Sequence, residues 1–221
     1  MIAERALRDA VIATALAMNA ADINRGKAGN VSARLVRDGF DGFLVTPTGL
    51  PYAQLVPGDI VAMSLAGEAH GARLPSSEWR FHRDIYRHRP DARAIVHTHA
   101  PFATSLACLH RGIPAFHYMV AVAGGPDIRC APYATFGTQA LSDHAVAALA
   151  GRNACLLANH GMIALGASLP GALALAIEVE TLAEMYWRAL QVGEPRQLPA
   201  GEMAVVLAKF ETYGQPEPRE R

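Results

Sequence analysis

The chain has 221 residues, which is enough for one large domain with a substantial buried core. Apolar residues make up 51% of it and charged residues only 18%, a composition that excludes global disorder. Twenty basic residues balance twenty acidic ones, so the formal net charge is zero and gives no overall attraction to nucleic acid or to an anionic membrane.

We expect neither a secretion signal nor a membrane span. Charge begins at Glu4, without the apolar core of a signal peptide. The longest uncharged stretch, residues 153–177, includes Asn159, His160 and Pro170, which is typical of a folded core rather than a bilayer span. The three cysteines are far apart, which favours free thiols in a reducing compartment: Cys108, Cys130 and Cys155. We therefore expect a cytoplasmic protein.

Hydrophobic periodicity and turn residues predict helices and strands that interleave along the chain. In the first half they predict a helix over 3–23 with a left-handed stop near 24–26, a hairpin over 31–45, a strand at 60–63, a helix opening at 74–78 and ending near 88, a strand at 94–98 and a helix over 101–110. In the second half they predict loops with short strands over 112–138, a helix over 141–150, strands at 154–157 and 162–165, and helices over 170–190 and 201–213. We expect one α/β domain over residues 1–214 and a flexible tail over 215–221.

Three histidines form a candidate metal site. His97 and His99 stand two residues apart at the end of a predicted strand, so their side chains point to one face. Two exposed strand histidines would give the same pattern. His160 adds weight because it interrupts a second apolar run, where a polar group needs a partner. Three neutral imidazoles fit Zn²⁺ and leave an open, catalytic coordination position.

Glu78 follows Ser76 and Ser77 at a predicted helix start. It is either a carboxylate that stabilises the first helical turn or a general acid/base beside a metal. His82 lies one helical turn further on and is interpreted as a surface or packing histidine.

Three loops rich in small donors are candidates for anion binding: residues 26–30, 46–49 and 76–77. Glycines in such loops let backbone N–H groups approach an oxyanion, and a helix beginning after Ser77 adds its partial positive charge. Each loop taken alone is typical of an ordinary turn.

Seven segments together resemble the class II aldolase/adducin family. They are GKAGNVS (26–32), TPTGLPY (46–52), LPSSEWRFH (74–82), AIVHTHA (94–100), PAFHYMVAVAGG (114–125), CAPYATFGT (130–138) and NHGMIA (159–164). The motifs occur in the family's order and extend over about residues 8–214. The resemblance implies a single-domain three-layer α/β/α fold with a central mixed, mostly antiparallel sheet.

The resemblance also implies roles for individual residues. The zinc ligands fall on His97, His99 and His160, with one ion per subunit. Glu78 matches the catalytic carboxylate, which can also approach the metal, and Tyr118 matches a proton donor that enters a neighbouring subunit's site. The remaining matches concern substrate: Gly29, Asn30, Thr48, Gly49, Ser76 and Ser77 for the phosphate group, and Phe136 and Tyr213 for the aldehyde end. Family members of this type are homotetramers with sites at subunit interfaces.

The implied reaction is reversible cleavage of a ketose 1-phosphate to dihydroxyacetone phosphate and an aldehyde. L-fuculose 1-phosphate, which yields L-lactaldehyde, is the expected substrate. Alternatives are an aldolase for 5-deoxy- or methylthio-pentulose 1-phosphates, L-ribulose-5-phosphate 4-epimerase, a decarboxylase or dehydratase, and a metal-free adducin-like interaction module. The epimerases typically carry S-S-D where this chain has S-S-E at residues 76–78, and the chain departs from the family pattern at Lys27, Pro101, Phe102 and Asn159.

Overall fold

A mixed sheet organises the part of the chain that the computed structural model describes, residues 2–212. The strands are β1 (Asn30–Arg37), β2 (Phe40–Val45), β3 (Val61–Ser64), β4 (Ala69–His70), β5 (Ala94–Thr98), β6 (Arg129–Ala131), β7 (Ala154–Leu157) and β8 (Gly161–Gly166). The helices are α1 (Ile2–Ala20), α2 (Trp79–His88), α3 (Pro101–Cys108), α4 (Gln139–Ala148), α5 (Leu169–Leu190) and α6 (Ala200–Phe210). Short 3₁₀ helices occupy Tyr52–Gln54, Pro57–Asp59 and Tyr118–Ala123.

The eight strands lie in the order β4-β3-β2-β1-β5-β8-β7-β6. All neighbouring pairs are antiparallel except β6 and β7, which are parallel. The central trio β1, β5 and β8 joins three segments that are far apart in the sequence. The predicted central mixed, mostly antiparallel sheet is therefore confirmed.

Alternate residues of the central strands enter two separate apolar cores, one on each face of the sheet. On β5, Ala94 and Val96 pack in the core that α1, α3 and α5 cover, whereas Ile95 packs in the core that α2 and α4 cover. Helices thus lie on both faces, and the predicted three-layer α/β/α arrangement is confirmed.

The first helix ends earlier than the periodicity indicates. Asp22 adopts a left-handed conformation at φ 56°. The Ile23 N–H then donates to the Met18 carbonyl at 3.2 Å, the contact that closes a helix in a Schellman motif. The left-handed stop is therefore Asp22 rather than the predicted stop near residues 24–26. His110, at φ 52°, ends α3 at Cys108 in the same way, two residues before the predicted end.

The structure differs from the prediction elsewhere too. The last helix ends at Phe210 rather than near residue 213, and the strand β4 and the 3₁₀ helix Tyr118–Ala123 were not predicted. Tyr213 and the predicted tail over 215–221 lie outside the described residues. None of the helices within residues 2–212 has the length and apolarity needed to cross a membrane.

Asp84 joins α2 to α4 beneath the sheet. Its Oδ2 accepts from Gln139 Nε2 and Ser142 Oγ, both at 2.7 Å, and its Oδ1 accepts from Arg83 Nε at 2.7 Å. Burial by itself raises the pKa of Asp84, but the donors from Arg83, Gln139 and Ser142 outweigh it and lower the pKa to about 2. The carboxylate is therefore a stabilising anion between the two helices.

We expect Asp84→Asn to lower the free energy of unfolding at pH 7 by about 2 kcal/mol, since a hydrogen bond to a buried charge contributes about 1.5–3 kcal/mol. Because the native pKa is lowered, this stability is present above the unfolded-state pKa of about 3.8 and is lost as the pH falls toward 2. Urea unfolding across that pH range measures it, with the exposed turn variant Asp38→Asn as control. A difference between wild type and Asp84→Asn that did not shrink in acid would contradict the assignment.

Candidate metal centre

Three histidine side chains converge at one end of the sheet, where β5 ends and β7 turns into β8. His97 lies within β5, His99 follows two residues later, and His160 lies in the turn before Gly161. The ring centroids are 4.9 to 5.0 Å apart, and one nitrogen of each ring lies within 4.8 Å of the others. The structure thus brings together all three predicted ligands.

The β7–β8 turn places His160 against His99 through two backbone features. Asn159 adopts a left-handed conformation at φ 54°, which Asn tolerates better than most residues. Gly161 passes so close to β5 that a Cβ there would lie 2.5 Å from the Thr98 carbonyl oxygen and 2.9 Å from His99 Cδ2. Only glycine allows this approach without displacing the His99 ring.

The tautomer of His97 follows from a backbone contact. Its Nδ1 lies 2.9 Å from the carbonyl oxygen of Met162, which only accepts, so Nδ1 carries the proton. In the neutral ring Nε2 then presents a lone pair, which faces Oε2 of Glu78 at 3.1 Å. Two lone pairs at this distance repel each other unless a cation lies beside both.

Glu78 lies at the N-terminal end of α2 but makes no capping hydrogen bond with its side chain. The carboxylate is buried instead: Oε1 lies 3.2 Å from His160 Nε2, and Oε2 accepts a hydrogen bond from Asn30 Nδ2 at 2.9 Å. Burial alone raises the pKa of Glu78, but the nearby His97 and His160 rings and the hydrogen bond from Asn30 outweigh it and hold the pKa well below its usual range. Glu78 is therefore an anion aimed at the imidazoles.

The imidazoles of His99 and His160 are neutral at physiological pH. Burial and the nearby His97 lower the pKa of each to about 4, and the negative charge of Glu78 offsets only part of this. A neutral ring keeps a lone pair, which is the form that binds a metal ion.

These groups fit a divalent metal ion. Among the buried side-chain polar atoms of the described residues, only four lack a hydrogen-bond partner, and three of these are at this site: Glu78 Oε1, His97 Nε2 and His99 Nε2. Imidazole nitrogens with one carboxylate oxygen are the donors that Zn²⁺ prefers, rather than the all-oxygen set of Ca²⁺ or Mg²⁺. The hydrogen bond from His97 to Met162 is the kind of outer contact that orients a metal-binding histidine.

A cavity of about 280 Å³ opens above the candidate metal ligands. Its wall contains Ala28, Ser77, Glu78, His99, Tyr133, Ala134, Phe136, Asn159 and His160. Phe136 was predicted at the aldehyde end, whereas Tyr133, which is also exposed, was not. Tyr133 lies in an irregular segment, so no alternation of apolar and polar residues indicated which way its side chain points. Its place at the cavity follows only from the tertiary structure.

The three predicted phosphate loops come together beside this cavity. The Thr48 N–H donates to the Leu74 carbonyl at 3.1 Å and the Ser76 N–H donates to the Thr46 carbonyl at 3.0 Å, so the second and third loops run side by side. Lys27 joins the first loop to the second, because its Nζ donates to the Gly49 carbonyl at 2.7 Å. Of the residues predicted to bind the phosphate group, Thr48, Gly49 and Ser77 are exposed.

Gly29 and Asn30, both predicted to bind the phosphate group, are buried and make hydrogen bonds within the chain. The Gly29 N–H donates to Asn24 Oδ1 at 3.0 Å, and the Gly29 carbonyl accepts from the Tyr52 hydroxyl. The side-chain amide of Asn30 contacts Glu78 and His82. Gly29 therefore fixes the backbone of the first loop, and Asn30 holds the Glu78 carboxylate.

Tyr118 does not line the cavity that contains Glu78. It is half exposed at the start of a 3₁₀ helix and borders a different cavity, of about 360 Å³, together with side chains of α6. Tyr213, the other predicted aldehyde-end residue, lies outside the described residues.

His82 is the functional-site neighbour that sequence reasoning missed. It is fully buried, which decides for the packing alternative over the surface one, and both ring nitrogens contact polar side chains. The available signal was its spacing of four residues from Glu78, which places both on one stripe of α2.

Known proteins are similar to this chain over nearly its whole length. The family model for the "Class II Aldolase and Adducin N-terminal domain" matches residues 9–187. A 5-methylthioribulose-1-phosphate/5-deoxyribulose-1-phosphate aldolase of Rhodospirillum rubrum is 61% identical over 209 residues, covering 95% of this chain and 93% of that protein. An L-fuculose phosphate aldolase of Escherichia coli (strain K12) is 51% identical over 205 residues, covering 92% of this chain and 94% of that protein.

A solved structure described as L-fuculose 1-phosphate aldolase has the same fold, with a TM-score of 0.87 at 40% identity, covering 93% of this chain and 96% of that chain. These similarities confirm the prediction of a class II aldolase, an enzyme rather than an interaction module. With the family model matched over most of its length, the chain belongs to the class II aldolase and adducin N-terminal domain family.

Proposed function

We propose that this class II aldolase reversibly cleaves the C3–C4 bond of a ketose 1-phosphate, releasing dihydroxyacetone phosphate and a short aldehyde. The single observation that carries the proposal is the buried donor set of His97, His99, His160 and Glu78, with three atoms that find no partner in the described chain. The set lies at the base of a cavity beside loops suited to a phosphate group.

The three histidines, with Glu78 beside them, would hold one Zn²⁺ per subunit. When bound, such an ion acts as a Lewis acid for the negative charge that collects on the substrate oxygens as the C3–C4 bond breaks. No lysine Schiff base is required for this chemistry. Lys27 is engaged with Gly49, and Lys209 lies on α6, beside the other cavity.

The chain's own groups would handle the protons. In cleavage, the hydroxyl proton at C4 leaves, the C3–C4 electron pair stays on C3, and C3 then gains a proton. We assign the transfer at C3 to Glu78, which the Asn30 amide holds at the cavity wall. We assign the C4 oxygen to Tyr118 of a neighbouring subunit in a homotetramer, since Tyr118 is exposed and does not line this cavity in its own chain.

The remaining predicted residues would bind the two ends of the substrate. The phosphate group is assigned to the loops that contain Gly29, Asn30, Thr48, Gly49, Ser76 and Ser77. Phe136 and Tyr133 form an exposed aromatic rim that suits the aldehyde end, and Tyr213 is assigned to that end from the family resemblance.

A cytoplasmic location remains part of this proposal, supported by the widely spaced cysteines.

We propose 5-deoxyribulose 1-phosphate and 5-methylthioribulose 1-phosphate as the substrates, which differ from L-fuculose 1-phosphate in the aldehyde that they release. The similarity to the Rhodospirillum rubrum aldolase and the apolar character of the Phe136 and Tyr133 rim support them. L-fuculose 1-phosphate, the substrate expected from the sequence, is the second candidate, and the similarity to the Escherichia coli aldolase supports it.

The substrate prediction is tested with a coupled assay for dihydroxyacetone phosphate on zinc-loaded protein. The panel is 5-deoxyribulose, 5-methylthioribulose and L-fuculose 1-phosphates, with L-ribulose 5-phosphate as control. We expect the highest kcat/KM for one of the two ribulose 1-phosphates. Preference for L-fuculose 1-phosphate would select the second candidate, and conversion of L-ribulose 5-phosphate to its epimer without release would refute the aldolase.

The metal prediction uses His160→Ala, with the exposed β4 variant His70→Ala as its matched control. Purified wild type and His70→Ala should contain about one zinc per chain, and chelator should remove zinc and activity together. His160→Ala should lose most of its bound zinc and at least about 100-fold in kcat/KM, because the site loses one of its three imidazoles. Full activity in metal-free wild type would contradict the proposal.

The role of Glu78 is tested with Glu78→Gln, which keeps the shape but removes the charge and the proton-transfer capacity. We expect kcat to fall about 10²- to 10⁴-fold, the usual contribution of a general acid/base, while zinc content stays at more than half of wild type. The exposed Glu68→Gln serves as control. Near-normal turnover in a folded, zinc-containing Glu78→Gln protein would exclude Glu78 from the reaction.

A further inference from the structure

A buried hydrogen-bond chain runs from Glu78 into the interior between α2 and β1. Glu78, His82 and Tyr86 are spaced four residues apart on α2, and Asn30 and Ser32 are two apart on β1. Each set therefore forms a stripe, and the two stripes face each other. Their contacts alternate along the order Glu78, Asn30, His82, Ser32, Tyr86, at 2.9, 2.5, 2.7 and 2.9 Å.

The direction of every bond in this chain follows from its first member. The Glu78 carboxylate only accepts, so Asn30 donates through Nδ2 and its Oδ1 is left to accept. His82 must therefore donate through Nε2–H, which leaves Nδ1 as an acceptor for the Ser32 hydroxyl. The Ser32 oxygen in turn accepts from the Tyr86 hydroxyl. All donors point toward Glu78.

This directed chain fixes the orientation of the Asn30 amide. If His82 carried its proton on Nδ1, the ring would present a lone pair to Asn30, and the amide would turn its nitrogen to His82. Asn30 would then present its oxygen to the Glu78 carboxylate, and two acceptors would face each other in a buried site. The Glu78 carboxylate therefore selects the tautomer of His82 that avoids this arrangement, and the Ser32 and Tyr86 hydroxyls, which can each donate or accept, adapt to it.

Burial makes the arrangement strict. All five side chains are buried, and His82 has no exposed surface. Burial, with a smaller effect of His97, lowers the pKa of His82 to about 3, so the ring stays neutral and keeps one donor and one acceptor. A neutral ring that serves as a link between two specific partners cannot be replaced by water at this depth.

We propose that His82 is a positioning residue that, through Asn30, orients the Glu78 carboxylate for proton transfer, with Ser32 and Tyr86 completing the hydrogen bonds on the other side of its ring. The expected effect of His82 on kcat rests on the proposed function, whereas the tautomer of its ring does not. His82 touches neither the cavity nor a candidate ligand other than through Asn30.

The kinetic test compares His82→Leu, which removes both bonds, with His82→Gln, whose side-chain NH₂ occupies the place of Nε2–H. We expect kcat to fall about 10- to 100-fold in His82→Leu, the usual effect of losing an outer hydrogen bond at such a site. KM for the ketose 1-phosphate and the zinc content should stay within about twofold, and His82→Gln should recover most of kcat. Equal loss in both variants, or none in His82→Leu, would overturn the proposal.

Ser32→Ala and Tyr86→Phe provide milder changes if His82→Leu does not fold. Their control is Ser142→Ala, which removes an equally buried serine hydroxyl that bonds to Asp84. We expect kcat to fall about fivefold in Ser32→Ala, about the effect of one neutral hydrogen bond, and to stay near wild type in Ser142→Ala. Equal kcat in Ser32→Ala and Ser142→Ala would contradict a role of this hydrogen-bond chain in turnover.

The tautomer is measured directly by ¹⁵N NMR of the histidine rings in zinc-loaded wild type, with His82→Gln used to assign the His82 signals. We expect a neutral ring with the proton on Nε2 and slow exchange with solvent. A ring protonated on Nδ1 overturns the proposal even in an active aldolase. If the His82 ring carries its proton on Nε2 but the protein releases no dihydroxyacetone phosphate from any substrate, the hydrogen-bond chain is correct and the proposed function is wrong.

Discussion

A buried carboxylate that faces imidazole lone pairs is the constraint on which the rest of this structure depends. Glu78 lies about 3 Å from His97 and His160 without a hydrogen bond to either ring. Such an arrangement is costly in a protein interior unless a cation lies between the groups. With a cation bound, the same groups become its ligands and hold the segments that carry them together. The start of α2, the end of β5 and the β7–β8 turn must all meet at this point, and the sheet order brings them there.

The antiparallel pairing of β1, β5 and β8 achieves this meeting. Asn30 is directly opposite His97 in the β1–β5 register, so the residue that holds Glu78 and the residue that faces it share one rung of the sheet. On the other side of β5, the Met162 carbonyl of β8 fixes the His97 ring. Gly161 lets the strands approach closely enough for His99 and His160 to share one space. The site is thus a product of strand register, with α2 packed across it.

The site divides into a rigid base and an exposed rim. The base is held by buried hydrogen bonds and by backbone contacts that leave little freedom, which suits chemistry common to a whole family. The rim consists of Tyr133 and Phe136, which are largely exposed and lie in irregular backbone. Substitutions in the rim would therefore disturb the buried base little.

The sequence by itself determined the order of the main helices and strands, the histidine pair on one strand face and the family, because periodicity and motif spacing are local properties of the chain. It did not reveal the role of His82 or Tyr133, or that Gly29 and Asn30 are engaged inside the chain. Those facts depend on which distant segments pack together. A buried histidine and a surface histidine have the same local pattern, and a hydrogen bond between residues 30 and 82 has no local signature at all. Only the tertiary structure decided these, because burial and partner choice are set by the packing of α2 on the sheet.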